Sequence, residues 1–314
     1  MNAYQKFSQL AQQVTDEVIA ELQKGKVLWQ QPWGSYGLPK NYSSNRPYGG
    51  FNAFYLHHIT EKNSFTAPYF LTFRQAQEQG GSIRRGEKGT RIVYWKVYES
   101  QESKNAEEQP AENSNRSDSR FVPFLWTVFN IDQVDGVDFQ LPAVPNRSGQ
   151  QVIEACQQVV DSFPSPAPQI RLGGSEAWYA PALDRVQVPE PKQFSSAATY
   201  HATLFHELIH ATGHPTRLNR FSDEEKASRF GDEAYSKEEL VAEMGASFLC
   251  AFTGIREQVF PNSVAYLQGW MRRLRNDRTV LLYAAARAFK AASYILELKV
   301  KETQEAPLDV KAAA

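Results

Sequence analysis

Cysteine is scarce in this 314-residue sequence, in which Cys156 and Cys250 are the whole complement. Two cysteines cannot build the disulfide framework of a small secreted scaffold. Both lie in apolar stretches with helical spacing, as buried thiols usually do. The cysteine usage therefore favours a reducing compartment, and we expect a cytoplasmic protein.

Long apolar runs are also missing. No stretch reaches the ~18 consecutive apolar residues of a membrane-spanning helix. The first residues are polar, whereas a secretion signal needs a basic start and an apolar core. We therefore expect no membrane segment. Hydrophobic residues nevertheless make up 42% of the sequence and charged residues 22%, which is typical of a globular protein with a substantial core.

Residues 99–120 contain no apolar side chain larger than alanine apart from one proline. Such a segment cannot bury enough surface to offset the entropy of ordering, so we predict a disordered insertion. Apolar residues resume at residue 121 with the alternation of a strand, so the insertion interrupts a sheet and does not separate two domains. Proline, asparagine, serine and glycine cluster in residues 141–149, which we predict to be a linker.

These patterns predict an α+β protein of two domains. Residues 1–140 mix helical and alternating patterns, as expected for a mixed α/β domain. Residues 150–300 are mainly helical with a small sheet, including a hairpin over residues 178–189 and one long helix over residues 263–298. Residues 301–314 are expected to form a tail.

Three of the six histidines lie within residues 206–214, in the sequence HELIHATGH. His206 and His210 are four residues apart, so a helix places both imidazoles on one face, where they can bind one metal ion. Glu207 is offset by about 100° around that helix, and its carboxylate can act as a general base beside the ion. The motif predicts one Zn²⁺ per chain, with another divalent ion as the alternative.

A third ligand must come from elsewhere in the chain. One known pattern needs a histidine at position 216, where Thr216 stands. The later sequence Glu239-Leu-Val-Ala-Glu243 offers two carboxylates on one helix face. Glu239 is our candidate ligand, and Glu243 would then accept a hydrogen bond from the free Nδ1–H of a ligating histidine. Ser236 and Glu239 also fit a helix-capping pair, which leaves Glu238 and Glu243 as alternative ligands.

Positive charge and aromatic rings are concentrated in the first 98 residues, which carry 12 lysines and arginines against 6 aspartates and glutamates. Cations follow the phosphates of single-stranded nucleic acid while aromatic faces stack on unpaired bases. The candidate DNA contacts are Lys26, Trp29, Trp33, Arg46, Tyr48, Asn52, Arg84, Arg85, Lys88 and Arg91. Solvated cations in a hairpin turn, together with aromatic residues of a core, would give the same composition.

The chain contains several short motifs in a fixed order. In the first half they are Trp29-Gln-Gln-Pro-Trp33 and the segments 41–52, 72–76 and 81–89. In the second half they are the segments 129–133, 177–189, 206–214 followed by Arg217-Leu-Asn-Arg220, and 238–249. This series resembles ArdC-type antirestriction proteins over nearly the whole chain outside residues 99–120 and the tail. The resemblance implies an N-terminal domain that binds single-stranded DNA, joined to a zincin-like metallopeptidase domain. It also implies a role in shielding incoming plasmid DNA from host restriction.

The resemblance further implies hydrolysis of a peptide bond. Glu207 would be the base, and Tyr179, His214 and Tyr235 are candidates for stabilising the oxyanion. The partners would be single-stranded DNA and a protein substrate, such as a DNA-bound protein or a restriction protein. The alternative is a DNA-binding protein that acts by occlusion, with a structural metal. Structural zinc usually has four protein ligands, whereas three are visible here, which favours the enzyme.

Overall fold

A four-stranded sheet organises the first half of the chain. In the computed structural model, which describes residues 3–99, 119–144, 146–221, 233–256 and 264–298, the strand order is β1-β2-β5-β4. The strands are β1 (Lys40–Asn41), β2 (Tyr69–Thr72), β4 (Thr90–Glu99) and β5 (Ser119–Asn130). β1 is parallel to β2, and the other pairings are antiparallel. A separate antiparallel pair is formed by β3 (Ser82–Ile83) and β6 (Val134–Asp135).

Three helices accompany this sheet: α1 (Ala3–Gln23), α2 (Gly50–Lys62) and α3 (Phe73–Glu78). α1 packs along β5, and α2 packs between β4 and the last helix of the second half. α3 begins at a capping box, in which the side chains of Thr72 and Gln75 each bond the backbone N–H of the other. The sheet is therefore covered by helices that also reach the second half.

β4 and β5 pair along their whole lengths, from Thr90 opposite Val128 to Glu99 opposite Ser119. This pairing confirms the predicted sheet on both sides of the insertion. The insertion predicted over residues 99–120 is too long at both ends, because Glu99 and residues 119–120 are paired in the ladder. Residues 100–118 and the predicted tail, residues 301–314, lie outside the described part of the chain.

The second half is mainly helical. Its helices are α4 (Gly149–Asp161), α5 (Ala197–Ala211), α6 (Glu233–Thr253), α7 (Val264–Asn276) and α8 (Val280–Ile295), and its sheet has the order β7 (Gln169–Leu172), β9 (Arg185–Val188), β8 (Trp178–Ala180). β8 and β9 form the predicted hairpin, whose turn contains Asp184 in a left-handed conformation with φ 44°. The architecture confirms the predicted α+β class.

The longest described helices are α1 and α6, with 21 residues each. Neither these nor the other helices of the described residues combine the length and the apolar character needed to cross a membrane.

The single helix predicted over residues 263–298 is wrong, because α7 ends at Asn276 and α8 begins at Val280. Between them, the carboxylate of Asp277 accepts hydrogen bonds from the backbone N–H and the hydroxyl of Thr279 at 2.9 and 2.8 Å. Such a local side-chain bond stabilises a turn in competition with the helix. Helical spacing of apolar residues continues on both sides of the turn, so the periodicity does not reveal it.

One hydrophobic core joins the two halves. Its buried residues include Trp29 and Trp33 from the first half and Phe248 and Trp270 from the second. Trp29 and Trp270 meet edge to face with ring centroids 5.7 Å apart, and Trp33 stacks on Phe248 at 6.0 Å. The domain limits at residues 1–140 and 150–300, with a linker at 141–149, stay predictions. The hydrophobic core contains residues from both of these ranges.

Four residues predicted to contact DNA are buried, which corrects that part of the prediction. Trp29 and Trp33 are 1% and 4% exposed, and Tyr48 and Asn52 are 4% and 8% exposed. The indole N–H of Trp33 donates to a backbone carbonyl of α6 at 2.8 Å. The Asn52 side chain bonds both the N–H and the carbonyl of Val93 on β4. These rings and polar groups hold helices and strands together, so they present no face to a ligand.

The six cationic candidates lie at the surface and stay predictions: Lys26, Arg46, Arg84, Arg85, Lys88 and Arg91. Arg84 forms ion pairs with Glu87 and Asp135, each at 3.3 Å, so part of its charge is already neutralised.

The buried His57 of α2 gives the fold a pH dependence that can be tested. It packs against Trp33 with ring centroids 4.7 Å apart, and burial lowers the pKa of His57 to about 4, against about 6.5 in an unfolded chain. Because the folded state binds a proton at His57 less readily than the unfolded chain does, the free energy of unfolding keeps its full value above pH ~6.5. It falls by roughly 3 kcal/mol as the pH decreases toward ~4. We predict that His57→Phe flattens the decline of the unfolding free energy between pH ~6.5 and ~5 in denaturant titrations. Parallel declines in the variant and the wild type would contradict this.

Candidate metal centre

Helix α5 carries both histidines of the HELIH sequence. The hydroxyl of Ser196 caps its first turn by accepting a hydrogen bond from the N–H of Thr199 at 3.1 Å. The apolar residues of the helix are buried and fix its orientation: Ala198, Ala202, Leu204, Phe205, Leu208 and Ile209. The helix ends at Ala211, and a Cβ on Gly213 just beyond it would lie 2.5 Å from the ring of Phe221. The absence of a side chain at Gly213 lets the ring of Phe221, in the following loop, pack close to the end of α5.

Three candidate ligands converge beside this helix. Nε2 of His206 and Nε2 of His210 are 3.1 Å apart, and carboxylate oxygens of Glu239 lie 3.4 Å from the first and 3.3 Å from the second. Ligands bound at ~2.0–2.1 Å to a tetrahedral zinc ion are themselves separated by about 3.3 Å. The three side chains therefore fit a metal ion. Among the described residues, their ligand atoms form a group within 4.8 Å of one another.

The charge around these ligands also suits a cation. Burial would lower the pKa of His210, but the carboxylates of Glu239 and Glu238 raise it well above its usual value. For Glu239 the directions are reversed: burial alone would raise the pKa of its carboxyl group, but His210 and His206 lower that pKa. The carboxylate of Glu239 is therefore ionised, as a metal ligand must be.

Glu239 reaches the histidines because α6 packs closely against α5. A Cβ on Gly245 would lie 2.7 Å from a side-chain carbon of Ile209 on α5. Ala242, three residues earlier on the same side of α6, is fully buried. Larger side chains at these positions would separate the helices, so the small residues bring the predicted third ligand to the predicted pair.

Glu238 occupies the position that we predicted for Glu243. One oxygen of Glu238 lies 3.2 Å from Nδ1 of His210, and the buried guanidinium of Arg220 holds the same carboxylate with two bonds, at 2.6 and 2.9 Å. Burial alone would raise the pKa of Glu238, but Arg220 lowers it to about 2. An ionised carboxylate on Nδ1 fixes the ring of His210 and leaves Nε2 directed at the metal position.

Arg220 is itself held in place by α5. Its other N–H groups donate to the hydroxyl of Thr212 and to the carbonyl of Ile209, both at 2.8 Å. These bonds satisfy the charged group inside the protein, where an unpaired guanidinium would be costly. The role of Arg220 was not predicted, because no periodicity in the segment Arg217-Leu-Asn-Arg220 marks one of its arginines as buried.

Glu243 has a different role from the one predicted. Its carboxylate accepts hydrogen bonds from the indole N–H of Trp29 at 2.7 Å, from the amide of Gln30 at 3.2 Å and from the hydroxyl of Tyr266. Burial raises the pKa of Glu243. The prediction that it orients a ligating histidine is wrong, because Trp29 and Gln30 of the first half and Tyr266 of α7 occupy its carboxylate.

Glu207 is placed beside the metal ligands and is 6% exposed. Burial raises the pKa of Glu207 above its usual range, and a bond from the backbone N–H of Tyr179 on β8 opposes this shift. A carboxylate with a raised pKa is a better proton acceptor near neutral pH than an ordinary glutamate. The small sheet thus helps to hold the candidate base in place through the backbone of β8.

The three oxyanion candidates differ in their surroundings. The hydroxyl of Tyr179 donates to Asp184 at 2.9 Å and accepts from Arg217 at 3.2 Å, so its proton is already engaged. Nδ1 of the half-buried His214 lies 2.8 Å from the hydroxyl of Thr216. The side chain of Tyr235 lies outside the described part of the structure. None of the three is shown to face the reacting atoms, and their roles stay predictions.

Arg217 connects the loop after α5 to the β8–β9 turn. Its guanidinium pairs with Asp184 and also donates to the carbonyls of Ala211 and Pro166 at 2.7 and 2.9 Å. Its side chain has no solvent exposure. Arg217 and Asp184 were not predicted, because their pairing depends on how the loop folds back. They fix β8, whose backbone holds Glu207.

The HExxH helix, the carboxylate ligand on the next long helix and the adjacent sheet define a zincin-like metallopeptidase unit. A family model with the description zincin-like metallopeptidase matches residues 158–287, and the model of the N-terminal domain of anti-restriction factor ArdC matches residues 8–129. The crystal structure of the metal-free antirestriction protein ArdC from plasmid R388 superposes with a TM-score of 0.67 at 33% identity, covering 92% of this chain and 97% of that chain. The chain belongs to the ArdC antirestriction family.

Further relatives extend this finding. The Mn(II)-bound crystal structure of the R388 ArdC protein superposes with a TM-score of 0.68 at 34% identity. The uncharacterized protein y4eC of Sinorhizobium fredii is 31% identical over 290 residues, which cover 90% of each chain. A DNA primase TraC of Escherichia coli is 34% identical over 310 residues, covering 94% of this chain but 28% of the primase. The chain thus spans little more than a quarter of that relative.

The exchange of roles between Glu238 and Glu243 can be tested by the same substitution at both positions. We expect Glu238→Gln to weaken metal binding by about 10- to 100-fold, because it removes the charge that fixes His210. Glu243→Gln should leave metal affinity nearly unchanged, since its carboxylate bonds Trp29, Gln30 and Tyr266 and no ligating histidine. Competition against a chromophoric chelator gives both affinities, with near-ultraviolet circular dichroism to check folding. A larger loss in Glu243→Gln would restore the role that the sequence predicted.

Proposed function

We propose that this protein is an antirestriction protein that binds single-stranded DNA and uses a zinc-dependent peptidase site to protect incoming plasmid DNA from host restriction. The observation that carries the proposal is the convergence of His206, His210 and Glu239, with Glu207 buried beside them. Three protein ligands leave a position for water or substrate, as catalytic zinc sites do. The Mn(II)-bound R388 relative supports a divalent ion at this centre.

A Zn²⁺ ion held by these three residues would polarise the scissile carbonyl and lower the pKa of a water molecule. Glu207 accepts the proton of the attacking water and passes it to the leaving amine. The backbone N–H of Tyr179 and the pair of Arg217 with Asp184 hold Glu207 and β8 in position. Glu238 keeps the imidazole of His210 in the tautomer that binds metal.

The first half supplies the DNA-binding function. Its surface cations Lys26, Arg46, Arg85, Lys88 and Arg91 are placed to neutralise phosphates. The substrate of the peptidase would be a protein that meets the same DNA, either a DNA-bound protein or a restriction protein. Because one core joins the two halves, DNA bound to the first half keeps the peptidase site close to such a protein.

The catalytic role of Glu207 can be separated from metal binding. We predict that Glu207→Gln lowers peptidase activity by about 10²- to 10⁴-fold, because the amide cannot accept the proton. The variant should retain its metal, since the ligands are unchanged. Hydrolysis of a peptide library or casein, with and without single-stranded DNA, measures the activity. Glu154→Gln, which changes an exposed carboxylate on α4, is the matched control and should behave as the wild type.

The same variant decides how protection arises. In a conjugation assay into a restricting host, Glu207→Gln should lose protection together with activity. Full protection by an inactive, metal-loaded variant would contradict the proteolytic explanation and would leave occlusion of the DNA as the mechanism.

A further inference from the structure

The β4–β5 ribbon extends beyond the sheet to which it belongs. β4 and β5 pair from Thr90 opposite Val128 out to Glu99 opposite Ser119. In the described residues, β2 pairs with β5 only at residues 128–130. The part of β5 before residue 128 therefore has a strand neighbour on one side alone, and it forms a two-stranded ribbon that leaves the sheet.

This ribbon exposes two aromatic rings on one face. Trp126 lies opposite Ile92, and Phe124 lies opposite Tyr94, so these residues share a side of the ribbon with Val128. Ile92 and Val128 are 1% exposed and pack into a small core, but Trp126 is 53% exposed and Phe124 is 39% exposed. Rings of this size are normally buried, and two neighbouring exposed rings indicate a binding surface.

The charge around the ribbon is positive. No aspartate or glutamate occurs between residues 88 and 98 or between residues 121 and 131. Arg85, Lys88 and Arg91 precede or begin β4 and are exposed. Among the ion pairs of the described residues, none involves these three side chains. The surface therefore combines apolar rings with cations that form no ion pair among the described residues, and the carboxylate of Glu87 between Arg85 and Lys88 is already paired with Arg84.

We propose that Trp126 and Phe124 form a stacking platform for the unpaired bases of single-stranded DNA, with Arg85 and Lys88 contacting its phosphates; Arg91, opposite Thr127, lies on the other side of the ribbon. The proposal rests on the DNA-binding part of the proposed function and assigns its base contacts. A partner that presents both flat apolar faces and regularly spaced negative charges matches this surface better than an apolar protein segment, which would gain nothing from the cations.

The spacing of the two rings also suits bases. Residues two apart on a strand are about 6.8 Å apart, which is about twice the 3.4 Å separation of stacked bases. One base plane therefore fits between positions 124 and 126, with further bases stacking outside. Stacking of this kind is tolerant of sequence, so the platform would serve DNA of any sequence that enters a cell.

Trp126→Ala tests the platform directly. Its affinity for fluorescently labelled oligothymidylate, measured by anisotropy, should fall by roughly 5- to 150-fold, the range expected when one stacking ring is removed. Trp126→Phe keeps a ring and should restore most of the binding. The matched control is Trp178→Ala, which removes the 40% exposed tryptophan of β8 in the second half and should bind as the wild type. Lys88→Ala tests the phosphate contacts separately. It should lower the slope of log affinity against log salt concentration by about one.

The outcomes separate the platform from the wider function. Wild-type affinity in the double variant Phe124→Ala, Trp126→Ala, while the wild type binds DNA, would overturn the platform and leave DNA binding to other residues. An equal loss in Trp178→Ala would also overturn it. A wild-type protein that does not bind single-stranded DNA would remove the proposed DNA-binding function itself, and the exposed rings would then belong to a protein interface.

Discussion

The close packing of α6 against α5 is the constraint on which the candidate site depends. Gly245 and Ala242 allow the two helices to approach closely. The separation between the helices decides whether Glu239 on α6 reaches His206 and His210 on α5. An α-helix fixes the spacing of the two histidines by itself, but a third ligand from a separate helix is only as well placed as the contact between the helices. The metal geometry is therefore a consequence of core packing.

Helix α6 is held on two sides by buried carboxylates that lie less than two turns apart. Glu238 is held by Arg220 on the side of α5. Glu243 is held by Trp29, Gln30 and the hydroxyl of Tyr266 on the other side. The metal ligand lies between these two buried carboxylates. The first half of the chain thus takes part in positioning the ligand helix, and the two halves work as one unit even though separate family models describe them.

The features that the sequence predicted correctly are the local ones. HELIH specifies its geometry through helical periodicity, and alternation marked the strands on either side of residues 100–118. The errors concern contacts made between distant segments. Composition does not distinguish the buried Trp33 from the exposed Trp126, because only the fold decides which ring is covered. Likewise, the choice between Glu238 and Glu243 depends on which face of α6 the partner Arg220 reaches.

The central inference is that one divalent ion is bound by His206, His210 and Glu239. Anomalous scattering at the zinc edge, from crystals of protein purified without added metal, tests it most directly. We expect one anomalous peak at ~2.0–2.2 Å from Nε2 of each histidine and from an oxygen of Glu239, with Glu238 bonded to His210 and not to the metal. The absence of a peak between these side chains, or a peak coordinated by Glu238 or Glu243, would contradict the inference.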